Sequence, residues 1–127
     1  MCHSKRMVPV IFACIYGTLS IVLGAFVQHA LKDVLPQESL QTIQTAARYF
    51  FYTAIPILLI FFTNKTWRWP RWLPWGFTIF GGLFCFSLVL LVGTGIRFFG
   101  YFTPIGGVGL ISLWVLWGVQ IYKKSKG

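Results

Sequence analysis

Four long apolar runs separated by short polar stretches organise the chain. They are placed at about residues 8–31, 43–63, 73–95 and 103–122, the second becoming continuously apolar only after Tyr49. About 20 residues rising 1.5 Å each cross the roughly 30 Å core of a bilayer, so each run is long enough to span it as a helix. The runs are unbroken rather than alternating, and no eight-stranded barrel fits this length, so helices are predicted over strands. Pro9 suits the opening turn of the first helix, where a missing N–H loses no bond. Pro56 lies inside the second, cannot donate to the carbonyl of Tyr52, and predicts a kink.

The pattern changes between Lys32 and Arg48. Leu40, Ile43, Ala47 and Phe50 recur on one helical face, while Gln37, Gln41, Gln44 and Arg48 recur on another. Pro36, Gln37 and Glu38 make a helix start, because proline suits the first turn and an acid suits the positive end. Two arrangements fit: a separate short amphipathic helix on the membrane surface, or an outward extension of the second span. Small residues mark the faces expected to pack. Gly17, Ser20 and Gly24 share a side of span one, Gly81 and Gly82 lie in span three, and Gly106, Gly107 and Gly109 in span four. Such residues let helices approach closely where lipid supplies little hydrophobic force between them.

Composition strengthens the membrane reading. The chain of 127 residues is 57% hydrophobic and 10% charged, against roughly 45–50% apolar and about 25% charged in a soluble domain. Too few charged side chains remain to cover a water-soluble fold. The expected fold is therefore all-α, a single polytopic membrane domain with a bundle of four transmembrane helices. The run after Lys5 and Arg6 exceeds the roughly 7–15 residues of a signal-peptide core, so a retained first helix is expected.

Charge sets the orientation. Lys5, Arg6, Lys65, Arg68, Arg71, Lys123, Lys124 and Lys126 fall on one side of this topology, and Lys32, Arg48 and Arg97 on the other with the only acids, Asp33 and Glu38. Eight bases against three place both termini in the cytoplasm or the equivalent compartment, and a bacterial inner (plasma) membrane is the expected location. Trp67, Trp69, Trp72 and Trp75 interleave with arginines and prolines in the second loop, as expected at a headgroup interface. The net charge of +9 then points to anionic lipid headgroups rather than nucleic acid, since the bases sit between apolar spans.

Catalytic chemistry is sparse. Cys2, Cys14 and Cys85 lack metal-ligand spacing, and no axial-ligand pair is visible, so no metal and no cofactor are expected. There is no catalytic triad, phosphate-binding glycine loop or paired carboxylate, and no Asp or Glu lies within a predicted span. The one candidate site is a set of polar groups at the outer depth: His29, Lys32, Arg48 and Arg97, with Thr103 capping the fourth helix. Bases beside a helix N-terminus are expected to attract an anion or a lipid headgroup.

Several segments together resemble a known family. They are Gly24-Ala25-Phe26-Val27-Gln28-His29-Ala30-Leu31-Lys32, Thr45-Ala46-Ala47-Arg48-Tyr49, Phe84-Cys85-Phe86-Ser87-Leu88 and Thr103-Pro104-Ile105-Gly106-Gly107. On these the chain is similar to the domain of unknown function 423 family of small four-helix membrane proteins, which includes transmembrane protein 256. Val27 and Gln28 replace a glycine and an alanine of that pattern, Thr53 a second histidine, Phe50 a glutamine, Phe86 a glycine and Val89 a tyrosine. The resemblance implies the fold and the membrane location, and no activity. The function expected is non-enzymatic: an accessory subunit or lipid-associated structural protein, with a protein partner or a homo-oligomer. The alternative is a small homo-oligomeric channel or transporter for an anion or small solute.

Overall fold

The computed structural model describes the backbone of Cys2–Lys126 and the side chains of residues 7–126; Lys5 and Arg6, which enter the charge asymmetry, and Cys2 lie outside the described side chains. Four long helices carry the chain: α1 (Cys2–His29), α2 (Gln37–Trp67), α3 (Trp72–Thr94) and α4 (Phe102–Lys126), with a 3-10 turn at Arg97–Tyr101 leading into α4. All four are long and apolar enough to cross a membrane. Residues 37–48 belong to α2 rather than to a separate helix, which makes α2 31 residues long. At 1.5 Å per residue α2 measures about 46 Å, so roughly ten residues project beyond the hydrocarbon core.

The continuity of α2 follows from one stripe. Leu40, Ile43, Ala47, Phe50, Ala54 and Ile57 are all buried and recur at alternating steps of three and four, the spacing that keeps one face of a helix against its neighbours. A break near Arg48 would interrupt that seam. Leu40 and Ile43 pack with Val27 of α1, flanked by Leu31, Leu35 and Val92, so the extension is held by the connection beneath it and by the end of α3. Pro9 also differs from expectation. Because α1 begins at Cys2, this proline lies two turns inside the helix, where it is fully buried. α2 likewise continues through a fully buried Pro56.

The helices run antiparallel in sequence order. α1 packs on α2, α2 on α3 and α3 on α4, with a smaller contact between α1 and α3. The main core joins Ala13 and Tyr16 of α1, Phe50, Ala54 and Ile57 of α2, Phe77 and Cys85 of α3, and Leu113 and Trp117 of α4. Large apolar side chains cover the outward faces, among them Ile21, Phe62, Val108 and Ile111. Such a surface suits lipid, since hydrocarbon needs no polar cover.

One end of the bundle is tied by aromatic and basic groups. Arg68 takes a left-handed conformation (φ 53°) to end α2, and its N–H donates to the carbonyl of Asn64. The Asn64 side chain accepts the Trp69 N–H at 3.0 Å, and the Trp69 indole donates to Thr63 at 2.7 Å. Trp67 stacks on Trp69 with centroids 5.4 Å apart. Lys124, near the end of α4, donates to the Arg68 carbonyl at 3.1 Å and lies over the Trp69 ring. The α2–α3 loop and the end of α4 therefore share one basic end.

Candidate functional site

The interior of the bundle is polar only at separated points; its buried hydroxyls are all bonded, while the buried indole Nε1 of Trp117 has no hydrogen-bond partner among the described residues. Among the described residues the buried polar side chains are Thr53, Thr78 and Ser87. Thr53 donates to the carbonyl of Tyr49 and Thr78 to that of Pro74, each one turn back in its own helix. Two bonds cross between helices. The Tyr16 hydroxyl donates to the Thr78 carbonyl at 2.7 Å, tying α1 to α3, and Ser87 and Thr103 share a hydrogen bond of 2.7 Å between α3 and α4. Ser87 also reaches the Phe84 carbonyl. A hydroxyl that bonds the preceding turn stays compatible with a helix in lipid.

Small residues govern how closely α3 is approached. A Cβ at Gly81 would collide with Thr53 of α2, and one at Gly82 would meet the Tyr16 hydroxyl at 2.5 Å. At Gly106 it would stand 2.7 Å from the Phe84 backbone nitrogen and 2.9 Å from the Phe80 carbonyl oxygen, so α3 and α4 nearly touch there. Gly107 faces the Phe84 ring at an ordinary 3.4 Å. Gly17 and Gly24 are a correction: a Cβ at either meets nothing within 4 Å. The packed face of α1 runs through Ala13, Tyr16 and Val27 instead, and aromatic bulk at Tyr16 sets the distance. Gly76, close against Leu113, is the contact that small-residue spacing did not single out, and Gly109 packs against Phe80 as expected. Gly109 lies three residues beyond Gly106, a spacing that marks it.

The polar groups expected at one outer depth are dispersed. His29, Lys32, Arg48 and Arg97 are all exposed, and Thr103 is half-buried. Arg48 enters a cleft of about 390 Å³ between α1 and α2 with Ser20, Gly24, Gln28, Gln44 and Tyr52. His29, Lys32, Arg97 and Thr103 do not line it. The separation has a simple cause. α4 lies principally against α3, so Arg97 and Thr103 belong to the α3–α4 side and the other three to the α1–α2 side. Thr103 also does not cap α4. The 3-10 turn delivers the chain already coiled, the Phe102 N–H donates to Phe99, and the Thr103 hydroxyl is spent on Ser87. A helix entered this way presents fewer free N–H groups to an anion.

A second cavity, of about 450 Å³, opens at the basic end among α1, α2 and the start of α3. Buried Pro9, Ile57 and Ile60 form its floor, Val10, Phe61 and Phe62 its accessible apolar wall, and Lys65 and Arg71, with Trp75, its more exposed side. The side chains of Lys65 and Arg71 are exposed and make no hydrogen bond or ion pair among the described residues. The chain's only acids, Asp33 and Glu38, belong to the opposite end.

The comparisons agree with this architecture. The family model described as "Protein of unknown function (DUF423)" matches residues 23–107, from the last quarter of α1 into the first turns of α4. The chain is 32% identical to the UPF0382 membrane protein YwdK of Bacillus subtilis, over 84% of this chain and 89% of that protein. It is 33% identical to the UPF0382 inner membrane protein YgdD of Escherichia coli, over 92% of each. A Staphylococcus aureus relative, UPF0382 membrane protein SAB0533, is 30% identical over 90% of this chain and 94% of its own length. No solved structure matches the chain significantly. With the matched residues, full-length relatives and four apolar helices in agreement, the chain belongs to the DUF423 (UPF0382) family of small integral membrane proteins.

Proposed function

We propose that the chain is a non-enzymatic protein of the bacterial inner membrane, acting as an accessory subunit or a lipid-associated structural element. The observation that carries this reading is the state of the interior. The buried hydroxyls bond one another or the backbone, and among the described residues no Asp, Glu, Lys, Arg or His is buried. A transport path needs polar groups available to a moving solute, and a proton-coupled pump needs an ionisable one at depth. Relatives that bear the name inner membrane protein support the location.

Arg48 favours a second reading, a small homo-oligomeric channel or transporter for an anion. It is a cation on a cleft facing away from the core, beside Gln28 and Gln44, and copies meeting through that cleft would gather several such cations. Reconstitution into liposomes separates the two. The purified protein is expected to leave chloride permeability at the level of empty vesicles. Chloride flux that Arg48→Gln abolishes would overturn the accessory reading in favour of the channel.

A further inference from the structure

The cavity at the basic end is amphiphilic along its length, and its ends are ordered with respect to the membrane. Lys65 and Arg71 sit at its mouth, on the level of the tryptophan-rich loop. Ile60 is five residues and Ile57 eight residues before Lys65 on α2, which puts them about 7 and 12 Å deeper along the helix axis. Trp69 and Trp75 line the transition, where indole rings favour the boundary between headgroups and hydrocarbon. A water-soluble ligand would have no use for the apolar depth. A lone apolar molecule would have none for the cations.

We infer that this cavity is a binding site for a phospholipid with an anionic headgroup, its phosphate held by Lys65 and Arg71 and the upper part of one acyl chain lying against Val10, Phe61 and Phe62, above the buried floor of Pro9, Ile57 and Ile60. Charge complementarity identifies the occupant. No acid of the chain lies at this end, and Lys124, fixed over Trp69, adds to the positive field. At about 450 Å³ the cavity has the volume of a small-molecule site, enough for a headgroup and the start of a chain while the rest of the lipid remains in the bilayer. The site differs from the Arg48 cleft, which lies toward the other end of α2 and lacks an apolar depth of this kind. It deepens the lipid-associated form of the function above, yet the two fail separately. Flux through liposomes would displace the accessory role and leave the site standing, and loss of lipid selectivity would do the reverse.

Native mass spectrometry of the purified chain tests it, with phosphatidylglycerol, phosphatidylcholine and inorganic phosphate as probes. Phosphatidylglycerol is expected to form adducts in preference to phosphatidylcholine, and millimolar phosphate to leave them in place. Lys65→Gln with Arg71→Gln is expected to weaken phosphatidylglycerol binding about tenfold or more, since each interfacial base contributes to holding an anionic lipid. Lys123→Gln with Lys126→Gln removes the same charge from the same end outside the cavity, and is expected to change binding little. Val10→Trp, at a partly exposed wall position, narrows the apolar part of the cavity and is expected to weaken the lipid while keeping both cations. Equal losses in the two double variants would show a diffuse surface charge and overturn the site. So would equal binding of the two lipids, or displacement by phosphate, which would mark a headgroup-only anion contact.

Discussion

At the scale of single residues, α3 is the helix that tolerates least change, because its neighbours meet its backbone. Gly106 shows this most clearly: an added methyl group would press on the Phe84 nitrogen and the Phe80 carbonyl, and neither backbone atom can swing aside. Gly106→Ala is therefore expected to cost about 1–3 kcal/mol through forced separation of α3 and α4, strained further because Ser87 and Thr103 must stay within hydrogen-bond reach one turn away. Gly17→Ala should change stability by less than about 1 kcal/mol, since the new methyl has open space and alanine is the better helix former. Reversible unfolding in mixed micelles, followed by circular dichroism, measures both. Equal costs at the two positions would show that α3 and α4 do not meet closely at Gly106. Both glycines lie in small-residue stripes, and only the three-dimensional neighbour tells them apart.

The elements show which features of sequence carry structural information in lipid. The polar faces of 37–48 made the helical period of that segment visible, and the extension of α2 follows the same stripe of Leu40, Ile43, Ala47 and Phe50. Within the spans that signal fades, because a face turned to lipid and a face turned to the core are both apolar. Nothing in the apolar pattern of α4 says that it lies against α3 and away from α1, and so groups at equal depth, such as Arg48 and Arg97, looked closer than they are. Tyr16 and Thr78 were hidden for the same reason: a bond between a side chain and a distant carbonyl leaves no periodic trace. The extension of α2 allows a direct test. Ile43 is buried against Val27 and Leu40, and truncating it leaves a cavity worth about 2–4 kcal/mol. Ile43→Ala is expected to raise amide exchange selectively over residues 37–43, through local opening, while the basic end keeps its protection. Uniform deprotection along α2 would mean that the extension and the span unfold as one unit.

At the scale of the whole molecule, the bundle separates charge between its two ends. Lys65, Arg68 and Arg71 come together with Lys123, Lys124 and Lys126 because Lys124 bonds the Arg68 carbonyl and Trp117 packs edge-on against Trp69. The opposite end carries His29, Lys32 and Arg97 and is diluted by Asp33 and Glu38. Short loops richer in Lys and Arg are retained in the cytoplasm during insertion, and four crossings return the chain to the side on which it began. The basic end is therefore expected to face the cytoplasm, which also sets the amphiphilic cavity in the leaflet where membranes present anionic lipid to cytoplasmic proteins. Two single-cysteine variants, built on a chain whose three native cysteines are replaced by serine, test this in intact cells. Val34→Cys, in the exposed turn between α1 and α2, should react with a membrane-impermeant thiol reagent added outside. Arg71→Cys should react only after the membrane is permeabilised, and a fluorescent-protein fusion at the C-terminus should be bright, as such a domain matures in the cytoplasm. External labelling of Arg71→Cys with protection of Val34→Cys would invert the orientation and move the cavity to the other leaflet. The charge rule would then have failed on a chain with an eight-to-three bias.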